Sequence, residues 1–396
     1  MVKVIRRIRP QATLQSYRSQ FTSFHAARMD LSLPLEEERL PCYSPDQFYP
    51  IHPGQILDSN YKVLAKLGYG AHSTVWLCRN ERDAGFVTIK VCTRDGDQLA
   101  HVQRELQFYK HVSSLNSQHH GQSFIRGLLD AFEITGPTGQ HLCLVHLPMH
   151  MTLQELQYID QSHKLNEPLL KWTLSNILNA LSFLHDEAKV IHTDINASNI
   201  MVTVADESVL ADIEKAEAQN SLPRKAIDNV RTIYSTHKLG LPNDSLRGEP
   251  VLCDFGEAQI GEGHKRLIQP QLYRAPEVLF DMKSNSAANI WSVAALAWDL
   301  LENRHLFNVI DEDRQSSATH HIAEIVAYLG LPPLKYIQRS EITKKVFGKR
   351  VSTLDGESKE LFLTFMRAML EWLPEKRKRA SELLEDPWMK EQCHSQ

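Results

Sequence analysis

The sequence lacks the marks of several protein classes. Its six cysteines, Cys42, Cys78, Cys92, Cys143, Cys253 and Cys393, never fall as a C-x-x-C pair, which argues against a zinc site or disulfide framework and for a reducing compartment. Buried apolar filling is their expected role. No run of about 18 apolar residues occurs, so a membrane span is not expected. A formal net charge of −4 over 396 residues gives no global attraction to nucleic acid or to an anionic membrane. Acidic residues are missing altogether from Met1 to Met29, where Lys3, Arg6, Arg7, Arg9, Arg18 and Arg28 stand among Ser and Thr. That composition fits a mitochondrial transit peptide as well as a disordered basic tail. What remains is ordinary for a globular chain: 42% hydrophobic and 23% charged residues, with length for about two domains.

From Leu31 to Pro53 the charge reverses at Glu36-Glu37-Glu38, and Pro34, Pro41, Pro45, Pro50 and Pro53 recur. Prolines bar helix continuation, so this lead-in is expected to run extended over a surface, anchored by Tyr43, Phe48 and Tyr49. After it, Tyr61 to Leu67 reads as a strand ending in Gly68-Tyr69-Gly70-Ala71-His72-Ser73-Thr74-Val75, a glycine turn that returns into a β-branched strand. Glycines there let the backbone approach phosphate oxygens and offer amides to them, and Val75 is placed to cover an adenine face. A plain hairpin remains the alternative. A dinucleotide-binding turn would need a helix directly after the glycines, and Val75-Trp76-Leu77-Cys78 reads as strand.

Phe86 to Val91 forms another strand with Lys90 in its middle. An ammonium there is costly unless paired, so Lys90 is expected to meet phosphate oxygens and a carboxylate. Glu105 is the candidate, on a segment where Leu99, Val102, Leu106 and Tyr109 recur at helical spacing. Strand-like segments then flank Gly136-Pro137-Thr138-Gly139, and the chain reaches His146-Leu147-Pro148-Met149, a hinge whose backbone is suited to an adenine edge.

Beyond the hinge, Pro168 to His185 carries Leu170, Leu174, Ile177, Leu178, Leu181 and Leu184 on one helical stripe. It delivers the chain to His192-Thr193-Asp194-Ile195-Asn196-Ala197-Ser198-Asn199. An Asp and an Asn five positions apart on one loop can serve a hydroxyl and a metal ion together. After Ile200-Met201-Val202 come about 45 mainly polar residues, Ala205 to Pro250, whose mix of charges suggests a mobile excursion. Val251-Leu252-Cys253-Asp254-Phe255-Gly256 then places Asp254 behind an apolar strand as a metal-binding carboxylate, and Arg274-Ala275-Pro276-Glu277 closes the segment.

That ordered set, glycine hairpin, strand lysine, helix glutamate, H-x-D…N loop and D-F-G, resembles the eukaryotic protein kinases from about Tyr61 to Trp388. Thr193, where most of them carry arginine, and Asp194-Ile195 resemble the serine/arginine-rich-protein kinases, in particular their short fungal members. The resemblance implies an α+β, bilobal fold with a small β-rich N-lobe (59–146), a hinge (147–150) and a larger helical C-lobe (151–392), preceded by an extension (1–58). It implies ATP and Mg2+ as cofactors. Asp194, Lys90 and Glu105 would be catalytic, Asn199 and Asp254 would hold metal, and Leu67, Gly68, Tyr69, Gly70, Ala71, His72, Ser73, Thr74, Val75, Lys90, Leu147 and Met149 would bind nucleotide. Arg377 would pair with Glu277. The substrate would be an arginine/serine-rich protein, with Asp311-Glu312-Asp313 a candidate dock for it. A monomer that binds neither nucleic acid nor membrane is expected, cytoplasmic or nuclear, with a mitochondrial address left open by the acid-free N terminus.

Between Gly256 and Ala275 there is no Ser or Thr, and Tyr273 is the sole hydroxyl. With Thr193 in place of a phosphate-binding arginine, phosphate and receptor are missing together, which predicts a segment held without phosphorylation. Three departures cut against full activity: Asn196 where a lysine usually contacts the transferring phosphate, Thr88 where a small alanine flanks adenine, and Asn289 where an aspartate braces the loop. Such charges carry much of the catalysis in this chemistry, so a nucleotide-binding scaffold without transfer activity stands as the alternative.

Overall fold

The structure is a computed structural model and describes residues 33–41, 43–94, 96–240, 248–311, 313–337, 339 and 356–390. The chain forms two compact units that do not follow chain order: residues 1–103, 126–150 and 203–248 make the first, and 104–125, 151–202 and 249–396 the second. The insert is thus grouped with the first unit, where chain order alone assigned it to the C-lobe.

The first unit is built on a six-stranded antiparallel sheet. Ile56–Leu57, Tyr61–Gly70, Ser73–Asn80 and Phe86–Cys92 follow one another, and Gly139–His146 pairs with Phe86–Cys92 before Asp130–Gly136 closes the edge. Alternation along these strands separates two faces. Val63, Trp76, Cys78, Val87, Ile89, Val91, Cys143 and Val145 turn to one side and form a core with Ile51, Leu57 and Tyr234. Lys90 lies opposite Val75 and Leu144, and Thr88 opposite Leu77 and His146, so these residues share the other face.

Within the segment 205–250, residues 208–234 are not the structureless excursion that polarity suggests. Ser208–Gln219 is a helix whose Leu210 and Ile213 pack against Leu64, Ala65, Leu77 and Phe86, and Arg224–Ala226 pairs with Thr232–Tyr234. One buried turn of a helix needs only two or three apolar residues, a signal too sparse to stand out among charges.

The lead-in, expected to be extended, instead makes two short 3-10 turns, Glu36–Arg39 and Pro45–Gln47. Leu35, Phe48 and Ile51 are buried. Each glutamate of the acidic triplet finds its own partner: Glu36 accepts from Thr236 N and Oγ1, Glu37 pairs with the buried Lys66, and Glu38 takes both oxygens to Lys225 Nζ at 3.0 Å. His237 N donates to Lys66 O at 2.8 Å, so the insert and the lead-in both grip the strand that enters the glycine turn.

The second unit is helical. Glu167–Ser182 starts on an Asn166 cap that accepts from Leu169 N, with Pro168 in its first turn. Its predicted stripe is almost wholly removed from solvent: Leu170, Leu174, Ile177, Leu178, Leu181 and Leu184 are each at most 1% exposed. Ala287–Glu302 is buried from Ala288 to Glu302, which makes it the central rod of the unit. Pro250–Leu252 pairs antiparallel with Ile200–Val202 and so brings the segments after Asn199 and before Asp254 side by side. Cys78, Cys92, Cys143 and Cys253 are buried and in no disulfide; Cys42 and Cys393 lie outside the described residues, as does the basic stretch 1–29.

Candidate active site

In the first unit the glycine turn is a hairpin, Tyr69 opposite Thr74 and Gly70 opposite Ser73. Neither Gly68 nor Gly70 has a positive φ, and a Cβ built at either would meet no atom within 4 Å. Neither backbone conformation nor packing requires glycine here, which leaves close approach by something other than the protein. Tyr69 is partly exposed, Ser73 and Thr74 are buried, Leu67 and Val75 are half-buried, and His72 O accepts from Thr93 N, tying the turn to the end of the lysine strand. Lys90 is half-buried on the same face as Val75. Thr88, two residues before it, is 2% exposed and its Oγ1 has no hydrogen-bond partner. Leu147 is exposed and Met149 buried, with Arg126 donating to Leu147 O at 3.3 Å.

In the second unit the loop residues converge. Asn199 Nδ2 donates to Asp194 Oδ2 at 2.6 Å and to Asp194 O at 2.9 Å. Asn196 Nδ2 donates to the same residue, 3.3 Å to Oδ1 and 3.2 Å to O, while its Oδ1 accepts from Ser198 N and caps the short turn Ala197–Asn199. Burial, opposed by the Asn199 amide and reinforced by Asp254, pushes the Asp194 carboxyl up from 3.8 to about 6. Two acidic groups held at such a distance that one raises the other are a natural seat for a cation.

His192 is fully buried. Its Nε2 donates to Cys253 O at 3.0 Å, and its Nδ1 accepts from Asp194 N at 3.2 Å. One nitrogen gives and the other receives, which demands the neutral ring; desolvation accordingly pushes His192 down to about 4. Thr193 and Asp254 both sit at positive φ, 71° and 59°, conformations that non-glycine residues hold at a cost and mainly at functional sites. Thr193 is secured on both sides, its N donating to Asn289 Oδ1 at 3.1 Å and its Oγ1 to Glu257 O at 2.8 Å.

Glu105 lies on the Gly96–Ser114 helix and is 2% exposed, on a buried face with Val102, Phe108, Tyr109 and Val112. Leu106, placed on that face by periodicity, is half-buried instead. Phe108 stacks on Phe255 at 3.8 Å. Arg104 turns to the segment after Asp254, donating to Gly256 O and Glu257 Oε1, each at 2.9 Å. Further along, Gln269 at φ 69° donates to Ala288 O and Ser292 Oγ and accepts from Ala275 N. Arg377 and Glu277 make the expected pair, bidentate at 2.7 Å with side chains at most 1% exposed. Of the acidic run, Asp311 accepts from the backbone of Asp313 and Gln315, a turn-forming use; Glu312 lies outside the described residues.

The roles of His185, Glu257, Gln269, Glu37 and Lys66 went unnoticed in the sequence. No local motif marks them, since each acts through a partner distant in sequence.

The protein kinase domain family model matches residues 61–238 and 243–389, and the chain belongs to the protein kinase family. A serine/threonine protein kinase of Aspergillus fumigatus is 38% identical over 379 residues, covering 91% of this chain and 92% of its own. The serine/threonine-protein kinase SRPK of Physarum polycephalum is 26% identical, covering 89% and 91%, and SRSF protein kinase 3 of Homo sapiens 23%, covering 89% and 90%. The chain is a serine/threonine protein kinase of SRPK-like type.

Proposed function

We propose that this kinase transfers the γ-phosphate of ATP to serine in arginine/serine-rich protein segments. The observation that carries the reading is the fixed carboxylate of Asp194, held by two amides and raised to about 6, within reach of the operating pH of a general base. Asp194 accepts the proton of the substrate hydroxyl as the oxygen attacks. Asn199 spends Nδ2 on Asp194, so its Oδ1, the ligating atom of an amide, is the atom that would hold a metal. Asp254 would supply the carboxylate. One or two carboxylate or amide oxygens beside phosphate oxygens are the usual protein share of a magnesium site, so the donor set fits; the ion would neutralise charge on the phosphates. In the first unit Gly68 and Gly70 would offer backbone amides to a triphosphate, and Lys90 its ammonium.

The segment from Gly256 to Glu277 is held by Thr193, Arg104, Gln269 and Arg377, which supports activity independent of phosphorylation. The substrate class rests on the likeness to SRPK and SRSF protein kinases. A non-catalytic scaffold finds no support among the relatives, which are named as kinases. The test is magnesium-ATP phosphorylation of an arginine/serine-rich peptide beside a generic basic protein, with Asp194→Asn as control. Turnover no higher than the control would refute the transfer reading. Equal rates on both substrates would refute the substrate class alone.

A further inference from the structure

Asn289 looks from the sequence like a lost carboxylate. Its hydrogen bonds contradict that. The backbone N–H of Thr193 can only donate, and it lies 3.1 Å from Asn289 Oδ1, so the amide oxygen is committed to the catalytic loop. The nitrogen, Nδ2, is then the atom 3.0 Å from His185 Nε2, and an amide N–H at that place requires a lone pair on Nε2. His185 is therefore neutral, with its proton on Nδ1. Burial pushes it down to about 4 and His192 acts in the same direction, with only Asp186 pulling the other way. Asn289 itself is 0% exposed, and a carboxylate in its position could only accept, which would demand that Nε2 carry the proton instead.

We propose that His185 and Asn289 are a matched neutral pair that positions the catalytic loop, the amide at 289 being the fitted partner of an unprotonated histidine. The inference deepens the reading of Asp194 as base and rests on it. Thr193 is β-branched and holds φ 71°, a conformation such residues rarely adopt unaided. Asn289 pins its N–H and Glu257 O pins its hydroxyl, and the next residue is Asp194. His185, Asn289 and Thr193 thus fix the backbone from which the base projects. None of them touches substrate; they are positioning residues.

Asn289→Asp tests the pair. A carboxylate has no proton to give Nε2, so His185 must donate from Nε2 instead, strongly while the ring is charged and more weakly, from the neutral Nε2–H tautomer, once that charge is lost. Between pH 7 and 9 the kcat of N289D should fall about fivefold, the difference between a charge-assisted and a neutral hydrogen bond, while the unaltered protein stays flat and KM for ATP does not move. In the double variant H185Q/N289D, a glutamine amide donates at every pH, and the flat profile should return. Melting temperature against pH reports the same coupling without turnover. As pH falls from about 6.5 towards 4, His185 and His192 should cost the unaltered protein stability, because the unfolded chain takes up protons that both refuse when folded, against the opposite contribution of Asp194; in the difference between the N289D and unaltered profiles the His185 share should reverse, with stability lost as pH rises. If D194N keeps full turnover, the base assignment fails and the melting curves still decide the pair. An N289D that matches the unaltered protein in both kcat and melting profiles, or an H185Q/N289D no flatter than N289D, would overturn the proposal.

Discussion

Glu37→Ala is the most exacting perturbation of the first unit. Lys66, on the strand entering the glycine turn, has a side chain 0% exposed, and its counter-charge, Glu37, is 8% exposed. Removing the carboxylate leaves a desolvated ammonium with, among the described residues, the Tyr69 ring 5.1 Å away to offset its charge. Breaking a buried pair from one side costs about 3–5 kcal/mol, a fall in melting temperature on the order of 10 °C for a unit of this size. Glu38→Ala loses a pair whose side chains keep 15–17% exposure and should cost about 1 kcal/mol. The double variant K66M/E37L removes both charges and should recover most of the loss, since apolar residues of similar volume replace such pairs without penalty. Because Lys66 O is also held by His237 N, the E37A defect should reach the hairpin as a raised KM for ATP with a smaller change in kcat. Equal costs for E37A and E38A, or a double variant as unstable as E37A, would refute the idea that a buried ion pair clamps lead-in and insert to the glycine strand.

Three other outcomes can be checked by melting curves. Asp194→Asn should abolish transfer yet stabilise the metal-free fold. A carboxyl raised from 3.8 to about 6 costs stability progressively as pH rises from about 4 to 6 and fully above that, up to about 3 kcal/mol before allowance for residual solvent contact. The gain should therefore be larger at pH 7.5 than at pH 4, and an equal gain at both would count against the shift. Arg377→Met strands the buried Glu277 and forfeits donations to Glu371 O and Ala287 O; a loss of about 3–5 kcal/mol is expected, and one under about 1 kcal/mol would contradict the buried pair. Thr88→Val replaces a buried hydroxyl without a partner by a methyl of the same shape and should stabilise the ligand-free protein by about 1–3 kcal/mol; destabilisation would mean the hydroxyl is satisfied.

Much of the fold was legible because its signals are local. The stripe from Leu170 to Leu184 and the alternation through Trp76, Cys78, Val87 and Ile89 each declare an element within a dozen residues. The loop motif likewise declared Asp194 and Asn199, since the residues that meet are five apart. What could not be read are contacts between distant segments: Glu36 with Thr236 across 200 residues, Glu38 with Lys225 across 187, His185 with Asn289 across 104. The charged triplet of the lead-in and the polar insert each look solvated alone. They become structured through one another, as complementary charges that share a buried strand.

The three departures at the site can be judged on the same footing, by asking where each polar atom goes. Asn196 spends its nitrogen on Asp194 and its oxygen on Ser198 N, so the residue that lacks a lysine's charge helps hold the base and caps the turn. Asn289 spends its oxygen on Thr193 and its nitrogen on His185, and Thr193, in place of an arginine, bonds the segment after Asp254 directly through its hydroxyl. Two asparagines, a threonine and two neutral histidines do by dipole what charged groups would do by ion pairing. Neutral hydrogen bonds are individually weaker than charge-assisted ones. They carry no desolvation penalty for a buried ion, however, and they are indifferent to salt and phosphate. Thr88 alone has no such account, since its hydroxyl finds no partner. It is the one departure of the three whose polar atom the fold leaves unsatisfied.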